Sequence, residues 1–113
     1  MQKVKYITRG LQLAMCIWCL TSFKATYYAD AFNGRVMRSG AIYDMNKLTC
    51  ASNTHKLGTK LKVTNTENNK SVIVTVTDTG DFKKVTLDLS KKAFSKIAKL
   101  EQGVINVAIK KIN

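Results

Sequence analysis

The chain has 113 residues, with 19 Lys and Arg against 7 Asp and Glu, one His, three Cys and no Pro, and a net charge of +12. That length allows one domain, and a charge of that sign favours polyanions such as nucleic acid, anionic lipid or an acidic cell wall. The basic residues are scattered along strands (Lys60, Lys62) and a helix (Lys91, Lys92, Lys96, Lys99), as on a solvated face.

Residues 1–10 carry Lys3, Lys5 and Arg9 and no acid, and "LQLAMCIWCLTSF" (11–23) is apolar and uncharged. Those thirteen residues are too few for a bilayer-spanning helix, which needs about 20. A basic start, a short apolar run and a small-residue boundary describe a secretory signal better than a core helix. Cleavage is expected between Ser22 and Ala25, so that residues 1–25 are the signal and 26–113 the mature domain. Membrane anchoring, as in an outer-membrane lipoprotein, would require acylation of Cys16 or Cys19. Neither has the small residue usually wanted before such a cysteine. The mature chain keeps only Cys50, so it has no intramolecular disulfide, and that thiol reads as a small buried hydrophobe. Loss of Lys3, Lys5, Arg9 and Lys24 leaves 15 basic and 7 acidic residues, a charge of +8. Export argues against nucleic acid as the partner.

In the mature chain "ATYYADAF" (25–32) suggests a strand, and residues 33–46 read mostly as loop. "KLKVTN" (60–65) alternates with Leu61 and Val63 inward, Asn68-Asn69 offers a turn, and residues 71–77 return as a second strand of a hairpin. "KVTLDL" (84–89) alternates through Val85, Leu87 and Leu89. Ser90 caps a helix whose apolar stripe is Phe94, Ile97, Ala98 and Leu100, and Gly103 ends it. "VINVAIKKI" (104–112) closes the domain with Ile105, Val107 and Ile109 inward. Short strands, tight turns and one helix predict a small β-barrel.

In "SVIVTVTDTGDF" (71–82) Val72, Val74 and Val76 share one face, and two residues on, on the same side, stands Asp78 before a Thr-Gly break. From the pattern alone Asp78 reads as a strand-end aspartate accepting loop N–H bonds. An acid at the rim of a barrel, where a loop opens to solvent, also has the partly desolvated address that acid catalysis uses.

In order and spacing, "YYADAFNGRVMRSGAIYDMNKLTCAS" (27–52), "LGTKLKVTN" (57–65), "NKSVIVTVTDTGDF" (69–82) and "LDLSKKAFSKIA" (87–98) resemble the RlpA-like (rare lipoprotein A) family. The resemblance implies a mainly β fold, a six-stranded double-psi β-barrel with one short helix. It also implies an exported protein of the bacterial periplasm or cell envelope that acts on peptidoglycan. The implied activity is lytic transglycosylation: non-hydrolytic cleavage of the MurNAc–GlcNAc bond with formation of a 1,6-anhydro sugar, on glycan lacking stem peptides. Hydrolysis usually takes two carboxylates. Here one suffices, because the sugar's own hydroxyl replaces water.

Asp78 falls where the family keeps its catalytic aspartate, usually followed by Arg-Gly-Pro; here Thr79 and Asp81 stand in place of the arginine and proline. Asp81 adds negative charge near Asp78. The family's second catalytic residue, a histidine, maps onto Ser52, which cannot titrate near neutrality. His55 lies three residues later, on the opposite face of an extended segment. Candidate substrate-binding residues are Tyr43, Asp44, His55, Thr79, Asp81 and Phe82. Of the aromatics Tyr27, Tyr28, Phe32, Tyr43 and Phe82, the loop-adjacent Phe82 and Tyr43 are the better candidates for stacking on sugar rings. Asp88 reads as structural, opposite Leu87 and Leu89 and two residues before the helix cap. One histidine and one mature cysteine build no tetrahedral metal site, and no cofactor is expected. The expected partner is the peptidoglycan glycan strand, met by a monomer. An alternative is a non-catalytic, expansin-like wall binder, and a nucleic-acid or membrane binder ranks last.

Overall fold

The computed structural model of the chain describes residues 23–80 and 86–113. The expectations for residues 1–22, with Cys16 and Cys19, and for Asp81 and Phe82 lie outside the described residues. Six strands are present: β1 (Phe23–Tyr27), β2 (Thr49–Ser52), β3 (Lys60–Asn65), β4 (Ser71–Asp78), β5 (Leu87–Leu89) and β6 (Ile105–Lys111). They close in the order β1-β5-β2-β4-β3-β6. The pairs β1–β5 and β2–β4 are parallel and the other four are antiparallel. Closure leaves no unpaired edge, which is how a sheet of such short strands avoids exposing its backbone.

The alternating apolar residues fill the interior. Leu61, Val63, Val72, Val74, Val76, Leu87, Leu89 and Val107 are all buried, and Ile109 packs against them part-buried. Cys50 is buried among them as a small hydrophobe, and burial, with the nearby Asp88 charge, pushes its thiol up to about 12. The helix α1 (Lys91–Ile97) packs on the barrel and contributes Ala93, Phe94 and Ile97 to the core. Ser90 caps that helix through the Ala93 N–H. Its hydroxyl also donates to the Lys47 carbonyl, tying the helix start to the loop that leads into β2.

The β3–β4 hairpin turns through Asn69 at φ 61°, a left-handed conformation that asparagine tolerates better than most residues. The turn also reaches the helix. Nδ2 of buried Asn65 and Nδ2 of Asn68 both donate to the Ile97 carbonyl, at 2.8 and 3.0 Å. A helix C-terminus leaves its last carbonyls without intrahelical partners, and here a neighbouring turn supplies one.

Two expectations are corrected, those for the first strand and for Gly103, and one strand was not anticipated. The first strand runs 23–27 rather than 25–32: its partner β5 stops at Leu89, so the chain leaves the sheet after Tyr27 and makes a single 3-10 turn at Asp30–Phe32. Residues 49–52 form a strand that no alternation announced, because Cys50, Ala51 and Ser52 are all buried. Gly103 ends a separate 3-10 turn (Leu100–Gln102), not the helix, which stops at Ile97. The 25/26 position, expected as the start of the mature domain, lies within β1, where Phe23 pairs with Val107 and Lys24 with Asn106.

Candidate functional site

The β2–β4 ladder carries the feature that makes the site. Cys50 pairs with Val76, but Ala51 pairs with Asp78, so the register skips Thr77. A bulge of this kind bends the strand and re-aims the side chains beyond it. Asp78 therefore leaves the valine side on which simple alternation puts it, and shares a face with Ala51, outside the main core. Ala51 pairs on its other side with Asp88, and Asp88 with Thr26 of β1. The row Asp78–Ala51–Asp88–Thr26 thus crosses four strands, with a single methyl group between two acids.

Over this face lies an arm, residues 33–46, mostly loop as expected and pinned by the isolated Val36–Ile42 bridge. Its tip is anchored to the bulge. The Ser39 N–H donates to the Thr77 carbonyl, and the Thr77 hydroxyl donates to Sδ of Met37. The Arg38 N–H donates to Oδ1 of Asp78 at 2.9 Å, as does the Thr79 N–H. The third donor is the Tyr28 hydroxyl, 2.7 Å from Oδ2. Tyr28, Met37, Tyr43 and Ala51 form a second apolar cluster beneath the arm, with the two tyrosine rings stacked at 4.4 Å. Burial first, and then the bond to Asp78, raise the Tyr28 phenol above its ordinary 10. Its hydroxyl stays a proton donor to the carboxylate.

These residues line a cavity of about 200 Å³ whose walls include Tyr28, Phe32, Arg35, Met37, Tyr43 and Asp78. A larger depression of about 380 Å³ lies near the start of α1, lined by Met45, Asn46, Lys91, Lys92, Ser95 and Leu100. Its lining carries no carboxylate, whereas that of the smaller cavity carries Asp78. Asp88 receives the Thr26 hydroxyl at 3.0 Å. Burial lifts its carboxyl above the ordinary 3.8, the Thr26 bond opposes that shift, and the Asp78 charge adds to it.

Not all the sequence candidates gather here. Tyr43 borders the cavity but is 1% exposed; its ring stacks on Tyr28 and its hydroxyl accepts the Lys91 N–H at 3.2 Å. The Asp44 carboxylate accepts the Asn46 N–H and shapes the arm's return. Ser52 is fully buried, its Oγ accepting the N–H groups of Thr54 and His55. That side chain closes a bend in its own backbone, and no hydrogen bond joins it to Asp78 among the described residues. The bend also removes the extended geometry behind the argument about His55, whose Nδ1 sits 3.1 Å from the Thr54 hydroxyl. Thr79 serves through its backbone. Two contributors escaped the sequence reading, Arg38 through its N–H and Tyr28 through its hydroxyl. Neither is announced by a motif, because both reach Asp78 across 40 or more positions.

A family model described as lytic transglycolase matches residues 21–109. The endolytic peptidoglycan transglycosylase RlpA of Neisseria meningitidis is 42% identical over 89 residues, covering 78% of this chain and 37% of the relative. That of Vibrio cholerae is 41% identical over 92 residues, covering 80% and 35%. The chain therefore spans just over a third of those relatives. Among solved structures, the Streptomyces papain inhibitor superposes with a TM-score of 0.67 at 26% identity, covering 81% of this chain and 93% of the inhibitor. Fold, matched span and identity agree: the chain belongs to the RlpA-like lytic transglycosylase family of double-psi β-barrels.

Proposed function

We propose that the protein is an exported peptidoglycan lytic transglycosylase with Asp78 as its single general acid and base. The observation that carries this reading is the Asp78 carboxylate itself. It is half-buried at the cavity wall, held by one phenol and two backbone N–H groups, with Asp88 across one alanine. A carboxyl oriented from three sides is positioned before substrate arrives, which is what proton transfer at a fixed atom requires.

The reaction begins with protonated Asp78 giving its proton to the bridging oxygen between MurNAc and GlcNAc. The bond from MurNAc C1 to that oxygen breaks, and C1 becomes cationic. The C6 hydroxyl oxygen of the same MurNAc then bonds to C1, and its proton returns to Asp78. No water is consumed, and the products are a 1,6-anhydro-MurNAc end and a free GlcNAc end. Negative potential from Asp88 stabilises the cationic C1 without a second proton transfer.

A second reading, a wall-glycan binder that does not cut, is favoured by Ser52. It occupies the position of the family's histidine and is spent on its own backbone. The fold does not choose between them, since a papain inhibitor shares it. Incubating the protein with amidase-treated sacculi and reading released anhydro-sugars by mass spectrometry separates the two. Release by the wild-type chain, abolished in a folded Asp78→Asn variant, supports the lyase. Sacculus binding with no product identifies the binder.

A further inference from the structure

Lysines that lie far apart in the sequence meet on the outside of the barrel. Leu61 and Val63 turn inward, so Lys60 and Lys62 project outward from β3. The register sets Lys110 of β6 opposite Lys62 on one side, and Thr75 and Ile73 of β4 opposite Lys60 and Lys62 on the other. The Ile112 N–H donates to the Lys60 carbonyl at 3.0 Å, which brings Ile112 beside Lys60. Two rows result, Ile112–Lys60–Thr75 and Lys110–Lys62–Ile73, and neither contains an acid. All three lysines are exposed and form no ion pair, since the one salt bridge among the described residues joins Lys91 to Asp30. Like charges directly opposite each other, as Lys62 and Lys110 are, destabilise a sheet, and nothing within these rows offsets that. Two aliphatic side chains stand beside the lysines, Ile73 at 51% and Ile112 at 42% exposure. The cavity lies elsewhere on the ring, over the row that runs from Asp78 through β2 and β5 to β1.

We propose that this outer face of β4, β3 and β6 docks on an anionic lipid bilayer. Lys60, Lys62 and Lys110 meet the headgroup phosphates, and Ile73 and Ile112 reach the boundary of the acyl chains. Three cations with no acid among them complement a negatively charged surface. Charge alone would equally suit a linear polyanion, such as a nucleic acid or an acidic polysaccharide. The isoleucines separate the cases. A linear polyanion leaves both in water, whereas a bilayer buries them just beneath the layer of charge that holds the lysines. Lysine stems are long enough to span that step. Docked in this way, the barrel keeps its cavity clear of the lipid. The inference is independent of the chemistry at Asp78.

Co-sedimentation tests this on the full chain, with vesicles of phosphatidylcholine alone and of phosphatidylcholine mixed with phosphatidylglycerol. Soluble heparin serves as the linear polyanion. The wild-type chain is expected to bind the mixed vesicles about tenfold tighter than the neutral ones, or more. Lys60→Gln, Lys62→Gln and Lys110→Gln are each expected to weaken that binding about fivefold, and together about a hundredfold. Ile73→Thr, which keeps a branched strand residue, is expected to weaken it about threefold and to leave heparin binding unchanged. A control carrying Lys56→Gln, Lys92→Gln and Lys96→Gln changes net charge equally, away from this face. It is expected to stay within about twofold of wild type, because charges beyond a Debye length are screened. Circular dichroism checks that each variant is folded, which relief of the Lys62–Lys110 repulsion favours. Binding to mixed vesicles that survives the triple substitution, an equal loss in the control, or no preference for phosphatidylglycerol overturns the assignment. So does an equal loss of heparin and vesicle binding in the triple variant with Ile73→Thr changing neither, which identifies a linear polyanion instead.

Discussion

Around Asp78 single atoms decide what the site can do, and Tyr28 is the clearest case. Its ring is held by stacking on Tyr43, so Tyr28→Phe keeps the packing and removes only the donor to Oδ2. Released from one of its three holds, the carboxyl samples more orientations. The expected outcome is a roughly tenfold to hundredfold slower release of anhydro-sugar, with sacculus binding and melting temperature nearly unchanged. Equal rates in wild type and variant would show that the phenol does not position the acid.

Asp88 makes a different claim at the same scale. Its pKa is higher in the folded chain than the ordinary 3.8, chiefly because burial disfavours the charged form. The native state thus holds this proton more tightly than the unfolded state does, and stability is lost as pH rises through that interval. Asp88→Asn removes the titration while keeping an oxygen for the Thr26 hydroxyl. The variant is expected to melt above wild type near neutral pH, with the difference vanishing as the pH falls below 3.8. Thermal melts of both proteins across that range decide it, and a difference independent of pH contradicts the assignment.

Among the elements, the β3–β4 hairpin and α1 are joined by polar bonds rather than by packing alone. Asn65 is 2% exposed; Nδ2 donates to the Ile97 carbonyl and Oδ1 accepts the Glu67 N–H. Asn65→Ala leaves a helix-end carbonyl and a turn N–H without those partners. A loss of about 1–3 kcal/mol is expected, read by denaturant unfolding. A loss below about 0.5 kcal/mol would mean that Asn68 carries the Ile97 carbonyl unaided. The turn at Asn68-Asn69 was legible because its residue types suit a left-handed position. The link from that turn to the helix was not, since nothing local in "TENNK" mentions residue 97. Strand β2 was illegible for a related reason: both its faces are covered, so its pattern does not alternate.

At the scale of the whole molecule, closure of the barrel depends on β1 reaching both β5 and β6. Cutting after Ala25 would remove three of the five residues of that strand, including the β1 partners of Asn106 and Val107. If residues before the barrel are removed on export, the mature chain is expected to begin at or before Phe23. Mass spectrometry of the protein recovered from the envelope checks this, and a start at Thr26 would show that the barrel closes without the Phe23–Ala25 pairing.

Much of the architecture was written in local pattern. Alternation in residues 60–65, 71–76 and 104–109 puts one apolar set inside a sheet, and burial of that set is the dominant favourable term in folding. The ordered blocks that resemble the family, and the position of Asp78 within them, were equally available along the chain. The tertiary structure alone decided which way Asp78 faces, because a bulge is a mismatch between two strands and neither strand contains it. Burial of Ser52 and Tyr43, the three donors on Asp78 and the meeting of Lys62 with Lys110 were settled there too. A side chain's neighbours across the barrel depend on strand register and on how the arm folds back, whereas periodicity reports only which face of its own strand the side chain occupies.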